Sequence, residues 1–249
     1  MFKDREKYFE IEEFKNFGVK ALFTTKAIGD TDLNLESGQE NLKKFFETEN
    51  LTSFSLVWAK QTHSANIVDI KNDTCEFFYE DVDGFITQRK DVILMTKHAD
   101  CLPIYFYDTV NKVIGICHSG WKGSFQEIGI KVIEKMNKNY GSLKENILIG
   151  IGIGISMEKY EVGDEFYENF KSNFSKNLLD CSFSKIDEKW HFDNVRFNLE
   201  NFKKYGISPK NIIVSNECTF KNPRFSSFRR DKNLVRNIGA IFLLSLIHI

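Results

Sequence analysis

Short apolar runs alternate with polar, turn-forming segments along the whole chain, and their lengths sort into two kinds. Runs with strand character fall at 19–25, 55–59, 65–70, 84–87, 92–96, 104–107, 113–118, 147–153 and 211–215. Helical spacing occupies 40–49, 124–140, 164–174 and 195–205. In the second of these, Ile128, Val132, Ile133 and Met136 fall on one face, and Gly141 follows as a C-terminal cap. The apolar end, 238–249, is too short for a membrane span and reads as a buried final strand or helix. Strands outnumber helices without strict alternation, which predicts an α+β fold with mixed sheets rather than a doubly wound parallel one. No linker, repeat or low-complexity tract divides the chain, so one domain over 1–249 is expected.

The densest stretch is 91–123. It reads strand, Ala-Asp-Cys-Leu-Pro turn, strand, turn at 108–112, strand, His-Ser-Gly-Trp-Lys-Gly loop, helix. Cys101 and His118 each fall at a strand end, where reactive groups can converge on a rigid scaffold. His63, in Gln61-Thr62-His63-Ser64, occupies a similar polar break. Two imidazoles and a thiolate are ligands that Zn²⁺ favours, and three protein ligands leave a fourth position open for catalysis. The same atoms also suit a nucleophilic Cys101 with His118 as its base. Asp100 and Ser119 are the expected hydrogen-bond partners that fix the ring tautomers. Cys117 should face away from His118, into the core. The Gly120 and Gly123 loop opens a helix, so its amides form an anion site. His98 lies near but takes no role, and neither His191 nor His248 has supporting context.

Composition narrows the class. The 249 residues carry 34 basic and 35 acidic side chains, a formal charge of -1, so nothing drives the chain toward nucleic acid or an anionic membrane. Five cysteines without a CxxC pair do not form a secreted disulfide framework. The N-terminus is charged and unlike a signal peptide, which predicts a cytoplasmic protein, monomeric or homodimeric. No dinucleotide fingerprint, P-loop, HExxH or GxSxG motif occurs. Five histidines barely supply the ligands of a multicopper oxidase.

The motifs Gln61-x-His63, Asp83-Gly84-x-x-Thr87, Ala99-Asp100-Cys101-x-Pro103, His118-x-Gly120-Trp121-x-Gly123, Tyr160-Glu161-Val162-Gly163, and Cys218-Thr219 before Phe228-Arg229-Arg230-Asp231 together resemble the YfiH-like laccase-domain family. They occur in that family's order over nearly the whole chain. The resemblance implies a single domain of layered mixed sheets flanked by helices. It also implies zinc on His63, Cys101 and His118, phosphorolysis of adenosine, inosine, guanosine and methylthioadenosine, and deamination of adenosine. Under that reading Cys101, His118 and Asp100 carry the chemistry. Lys122, Arg229 and the Gly120 to Gly123 amides hold phosphate, and Asp100 or Glu161 positions the purine. The substrates are then a purine nucleoside and phosphate. Copper at the same ligands with phenol oxidation, and hydrolytic editing of peptidoglycan precursors, are the alternatives the family carries. Arg229 and Arg230 have a second reading as a salt bridge that pins the C-terminal segment. The chain departs from the family at Lys122, usually Arg, at Ile153, usually Pro, and at Phe228, usually Tyr. It departs again at 26–29 and 234–236. These departures bear on substrate preference more than on the metal ligands.

Overall fold

The computed structural model describes residues 1–74 and 76–244. Cys75, 245–249 and with them His248 lie outside the described residues. The strands are β1 (Phe2–Asp4), β2 (Tyr8–Ile11), β3 (Val19–Thr24), β4 (Ser55–Lys60), β5 (Ile67–Asp69), β6 (Phe78–Glu80), β7 (Gly84–Thr87) and β8 (Val92–His98). They continue as β9 (Leu102–Asp108), β10 (Ile114–Ser119), β11 (Ile147–Ile151), β12 (Glu161–Val162), β13 (Phe183–Ile186), β14 (Lys189–Phe192), β15 (Ile212–Val214) and β16 (Asn237–Leu243). The helices are α1 (Glu12–Lys15), α2 (Glu36–Thr48), α3 (Trp121–Phe125), α4 (Ile128–Tyr140), α5 (Asp164–Lys171), α6 (Lys176–Ser182), α7 (Asn194–Tyr205) and α8 (Phe228–Asp231).

Among the described residues one sheet runs β1-β2-β3-β16-β8-β4-β6 and a second runs β15-β11-β9-β10-β7-β5. Both are mixed. The pairs β4–β8, β4–β6, β11–β15 and β5–β7 are parallel, and the remaining pairs are antiparallel. The two sheets pack face to face, and period-two alternation sorts their side chains. Val92, Leu94, Ile241, Tyr105, Tyr107, Ile114 and Ile116 share the core between them. Ile93, Met95, Ala240 and Phe242 point the other way, onto Leu42, Phe45 and Phe46 of α2. Ile104, Phe106 and Cys117 point onto Ile128, Val132, Ile133 and Met136 of α4 and Phe202 of α7. The result is helix, sheet, sheet, helix, the layered α+β arrangement expected. Cys117 lies in the core, facing the helix layer. A third sheet, β12-β14-β13, packs Phe183 and Phe192 against Phe170 and Phe197 at one end.

Two expectations change, and a third, a buried final strand or helix, resolves to a strand. The helix expected over 124–140 is broken: α3 ends at Phe125 and α4 begins at Ile128, because Glu127 adopts φ 58°. The strand expected over 147–153 stops at Ile151: Gly152 still donates to the Pro103 carbonyl, but Pro103 has no N–H to return. The apolar C-terminal run is a strand, β16, set inside the larger sheet between β3 and β8. Gly141 caps α4 at φ 69°, as its place after the helical pattern predicts. No helix of the described residues is long and apolar enough to cross a membrane.

The layering decides where the site can form. Strand β8 belongs to the first sheet and β9 to the second, so the turn at 99–101 carries the chain across the sandwich end. The segment between β4 and β5, which holds His63, makes the same crossing. His118 lies in β10, the neighbour of β9.

Candidate active site

The three sequence-predicted ligands converge at that sandwich end. His63, Cys101 and His118 each present one ligand atom within 4.8 Å of the others. Cys101 Sγ lies 4.0 Å from His63 Nε2. The two imidazoles meet edge to face, with ring centroids 4.8 Å apart. Both ligand-bearing turns use left-handed backbone, at His63 (φ 62°) and at Asp100 (φ 88°). Such conformations persist only where surrounding contacts over-determine them.

Asp83 supplies most of those contacts. It is fully buried just before β7. One carboxylate oxygen, Oδ2, accepts from Thr62 N (3.1 Å), Ser64 N (2.8 Å) and Ser64 Oγ (2.8 Å), which wraps the His63 loop around it. The other, Oδ1, lies 2.8 Å from His118 Nδ1. A proton on that nitrogen leaves Nε2 free to face Cys101, the carboxylate–histidine arrangement that orients metal ligands. Asp83 therefore does the work expected of Asp100 and Ser119. Burial pushes its carboxyl up, but His118 and Ser64 outweigh that and hold it below the ordinary value. Asp83 was visible in the sequence only as part of an Asp-Gly motif, with nothing to say which ring it would meet.

Asp100 lines the cavity but spends its hydrogen bonds on other partners than the imidazoles. Its oxygens accept from Thr219 Oγ1 (2.6 Å) and from the Arg229 backbone N–H (2.7 Å), so it ties the Cys101 turn to the C-terminal segment. Ser119 Oγ pairs with Ser124 Oγ at 2.8 Å, and Ser124 Oγ donates to Asn194 Oδ1 at 2.6 Å. Asn194 in turn donates to the Ser119 carbonyl at 2.8 Å, and this buried network fastens the His118 loop to α7.

His98, left without a role, is fully buried. Its Nδ1 lies 3.1 Å from the Cys101 carbonyl and its Nε2 lies 2.8 Å from Thr96 Oγ1. Burial, reinforced by nearby His118, keeps it neutral. A neutral ring donates through Nδ1 and accepts through Nε2, bracing the Cys101 turn from below. His191 is spent in the same way, with Nδ1 2.9 Å from the Met157 carbonyl.

The electrostatics of the cluster favour a charged pair. Burial would push the Cys101 thiol up, but His118 and His63 beside it bring it down to about 6. Burial would push His118 down, yet the Cys101 thiolate and Asp83 raise it to about 9. Gly120 borders the cluster so closely that an added Cβ would lie 2.8 Å from Cys101 Sγ and 3.0 Å from the His63 ring. Only glycine leaves that space free.

The cluster opens into a cavity of about 510 Å³ whose walls include Asp32, Lys97, Tyr160, Phe228, Arg229 and Arg236. Gly120 lines it as well. Lys122 does not: its ammonium lies 5.6 Å from the centroid of the Trp121 ring. Gly123 faces the His118 carbonyl and Ile128 instead of the cavity. The Glu161 carboxylate pairs with Lys189 at 3.0 Å, while its backbone carbonyl accepts from Arg229 Nη1 at 3.1 Å. Arg230 grips Asp231 and the carbonyls of Thr219, Phe220 and Phe225, so of the two adjacent arginines it is the one that pins the C-terminal segment.

Comparison with known proteins identifies the family. Residues 20–244 match the family described as multi-copper polyphenol oxidoreductase laccase. A purine nucleoside phosphorylase of Borreliella burgdorferi is 38% identical over 178 residues, covering 72% of this chain and 75% of that protein. The purine nucleoside phosphorylase YlmD of Bacillus subtilis is 30% identical, covering 88% of this chain and 82% of its own. A protein named adenosine deaminase RL5, from an unknown prokaryotic organism, is 29% identical over 75% of this chain and 73% of its own. Among solved structures, the hypothetical protein YfiH of Bacillus licheniformis superposes with a TM-score of 0.88 at 27% identity, covering 97% of this chain and 98% of that one. The YlmD structure from Geobacillus stearothermophilus, at 21% identity and a TM-score of 0.89, shares the fold over 98% of this chain and 99% of its own. The chain belongs to the laccase-like polyphenol oxidoreductase family that includes the YfiH and YlmD proteins, an enzyme family of nucleoside-processing or laccase-like function.

Proposed function

We propose that the protein is a zinc-dependent purine nucleoside enzyme. It phosphorolyses adenosine, inosine, guanosine and methylthioadenosine, and it deaminates adenosine. The observation that carries the reading is the convergence of two imidazoles and a low-pKa thiol on the wall of a cation-lined cavity. The names of the relatives, purine nucleoside phosphorylase and adenosine deaminase, support the same chemistry.

The donor set fits zinc. A tetrahedral N–Zn–S pair needs donor atoms about 3.5 Å apart, given bonds of roughly 2.0 and 2.3 Å. The 4.0 Å between Cys101 Sγ and His63 Nε2 closes to that with a small side-chain adjustment. A thiolate at neutral pH, a His118 tautomer held by Asp83 and the bare face of Gly120 all suit such an ion. Zinc bound there supplies a Lewis acid and ionises water near neutral pH. A multicopper reading needs further imidazoles, and the other described histidines already have ring nitrogens in hydrogen bonds, both in His98 and Nδ1 in His191.

The protein's own residues then divide the work. Arg229, stacked 5.5 Å from the Tyr160 ring centroid and held by the Glu161 carbonyl, presents a guanidinium to phosphate. Asp100 and Glu161 position Arg229 through its backbone N–H and its guanidinium. The Tyr160 hydroxyl is held protonated by burial and by the negative charge of Cys101, against the pull of Arg229. It offers the departing purine a hydrogen bond while keeping its own proton.

The test is adenosine turnover by metal-loaded protein with and without phosphate, alongside elemental analysis of wild type and Cys101→Ala. Phosphate-dependent adenine and phosphate-independent inosine are expected. Both should fall by at least about 100-fold in the variant, together with its metal. Full zinc occupancy without nucleoside turnover would overturn the reading and leave amide hydrolysis of cell-wall precursors at the same site.

A further inference from the structure

Two arginines stand apart from the rest. Arg5, Arg89, Arg196, Arg224 and Arg230 each pair with a carboxylate. Among the described residues, Arg229 and Arg236 have no carboxylate within ion-pair distance, and both line the cavity. Arg236 Nη1 reaches only the Asn233 and Val235 carbonyls, at 3.2 and 3.0 Å, and its guanidinium lies 6.0 Å from the Phe228 ring centroid. Its backbone is pinned, since Thr31 Oγ1 donates to the Arg236 carbonyl at 2.7 Å.

Lys97 joins it in the cavity. Lys97 of β8 sits opposite Ile238 of β16. Arg236 lies one residue before β16, two from Ile238, and lines the same cavity as Lys97. The Lys97 side chain is only 16% exposed. Its ammonium is 3.9 Å from Asp32 Oδ1, too far for a hydrogen bond. That same oxygen already accepts from the Asn34 backbone and side chain, at 3.1 and 2.7 Å. Burial pulls the Lys97 ammonium below its ordinary pKa, Asp32 pulls it up, and Arg236 pulls it down again. Two cations thus line one cavity, and the Asp32 carboxylate nearest the Lys97 ammonium stands off at 3.9 Å. Like charges so placed repel, and a bridging dianion would reverse the sign of that interaction.

We propose that Lys97 and Arg236 form the subsite that takes inorganic phosphate as co-substrate. The proposal rests on the phosphorolytic reading above and extends its phosphate contacts beyond Arg229. Arg236 offers the fork that matches a phosphate edge, and Lys97 offers a point charge on a buried stem. In the reaction a phosphate oxygen forms its bond to the ribose C1′ as the C1′–N9 bond breaks. The purine departs with that electron pair, and the proton carried by monohydrogen phosphate ends on the base. The same cations could instead meet a phosphate carried by the substrate itself, as in a nucleoside 5′-phosphate.

The test uses full-length, metal-loaded Lys97→Met, Arg236→Met and Arg236→Lys. Initial rates are measured with adenosine against inorganic phosphate, and thermal melts check the fold. Each Met variant is expected to raise KM for phosphate about tenfold or more, and Arg236→Lys should recover part of the loss, while KM for adenosine moves by less than about twofold. Phosphate-dependent wild type with an unmoved phosphate KM in both Met variants overturns the subsite. If wild type shows no phosphate-dependent turnover, the parent reading fails, and calorimetry with inorganic phosphate decides the subsite alone. Binding lost in both Met variants then supports it, and no binding to wild type overturns it. A parallel titration with adenosine 5′-monophosphate separates the two phosphate sources. Weakened nucleotide binding beside an unmoved phosphate KM or affinity overturns the free-phosphate assignment.

Discussion

Asp83 is the residue on which the geometry of the cluster depends most. One of its oxygens holds the His63 loop and the other holds the His118 ring, so two of three ligands share one carboxylate. Asp83→Asn puts an N–H where an acceptor is needed on one of the two sides. The expected result is a loss of about 10- to 100-fold in metal affinity, read by competition with a chromophoric chelator. Stability should fall by roughly 1–3 kcal/mol in urea unfolding. Unchanged affinity would remove Asp83 from its place behind the site. A second prediction follows from the thiol. The thiolate is the reactive form, and its pKa of about 6 lies below the ordinary cysteine value. Alkylation of Cys101 in metal-free protein should therefore rise as pH rises through about 6 and be flat above neutrality. An ordinary thiol would still be climbing near pH ~8.5. Mass spectrometry of the Cys101 peptide reads the rate, and bound zinc should suppress it.

At the scale of elements, most strands of the sandwich were legible because apolar runs and period-two alternation report burial directly, whereas the short edge strands β1 and β6 and the charged β2 were not. The hairpin β13–β14 was not. Its turn residues Asp187 and Glu188 adopt φ 49° and 63°, conformations that Asn-Gly usually announces. The break between α3 and α4 was equally hidden. Glu127 is an ordinary helix former; in its left-handed turn its N–H donates to the Ser124 carbonyl and its carboxylate accepts from Asn201 Nδ2, both at 2.9 Å. Gly129, just past that break, brings α4 onto α7: an added Cβ would lie 2.6 Å from Phe202 Cζ. Gly129→Ala gains about 1 kcal/mol of helix propensity, but Phe202 is 1% exposed and has nowhere to go. Overpacking of about 1–3 kcal/mol should outweigh the gain and leave a net loss of about 1 kcal/mol in urea unfolding. A stabilised variant would show that the two helices can separate freely.

For the whole molecule, the site lies where the chain passes between sheets, so a metal there links the halves of the sandwich. Binding the native state alone stabilises it by about 4 kcal/mol at a thousandfold excess over Kd. In a chain of this length that corresponds to a rise in Tm on the order of 10 °C. Zinc should produce the rise, a chelator should reverse it, and His63→Ala should abolish it. A zinc-independent Tm in wild type would mean that the cluster does not hold the ion. The same layering explains the chemistry of the cavity. Its cations come from β4, from β8, from α8 and from the approach to β16, segments far apart in sequence.

The α+β class, most strands and the three convergent side chains were determined by the sequence alone. Hydrophobic periodicity and ligand chemistry are local properties of residue type, readable at short range along the chain. The hydrogen-bond partner of His118, the separation of Arg229 from Arg230 in role, and the pairing of Lys97 with Arg236 were decided only by tertiary structure. Each depends on which strand ends and turns meet in space. That meeting is set by the packing of two sheets, with Asp83 and His118 brought together across 35 positions and Asp100 and Arg229 across 129.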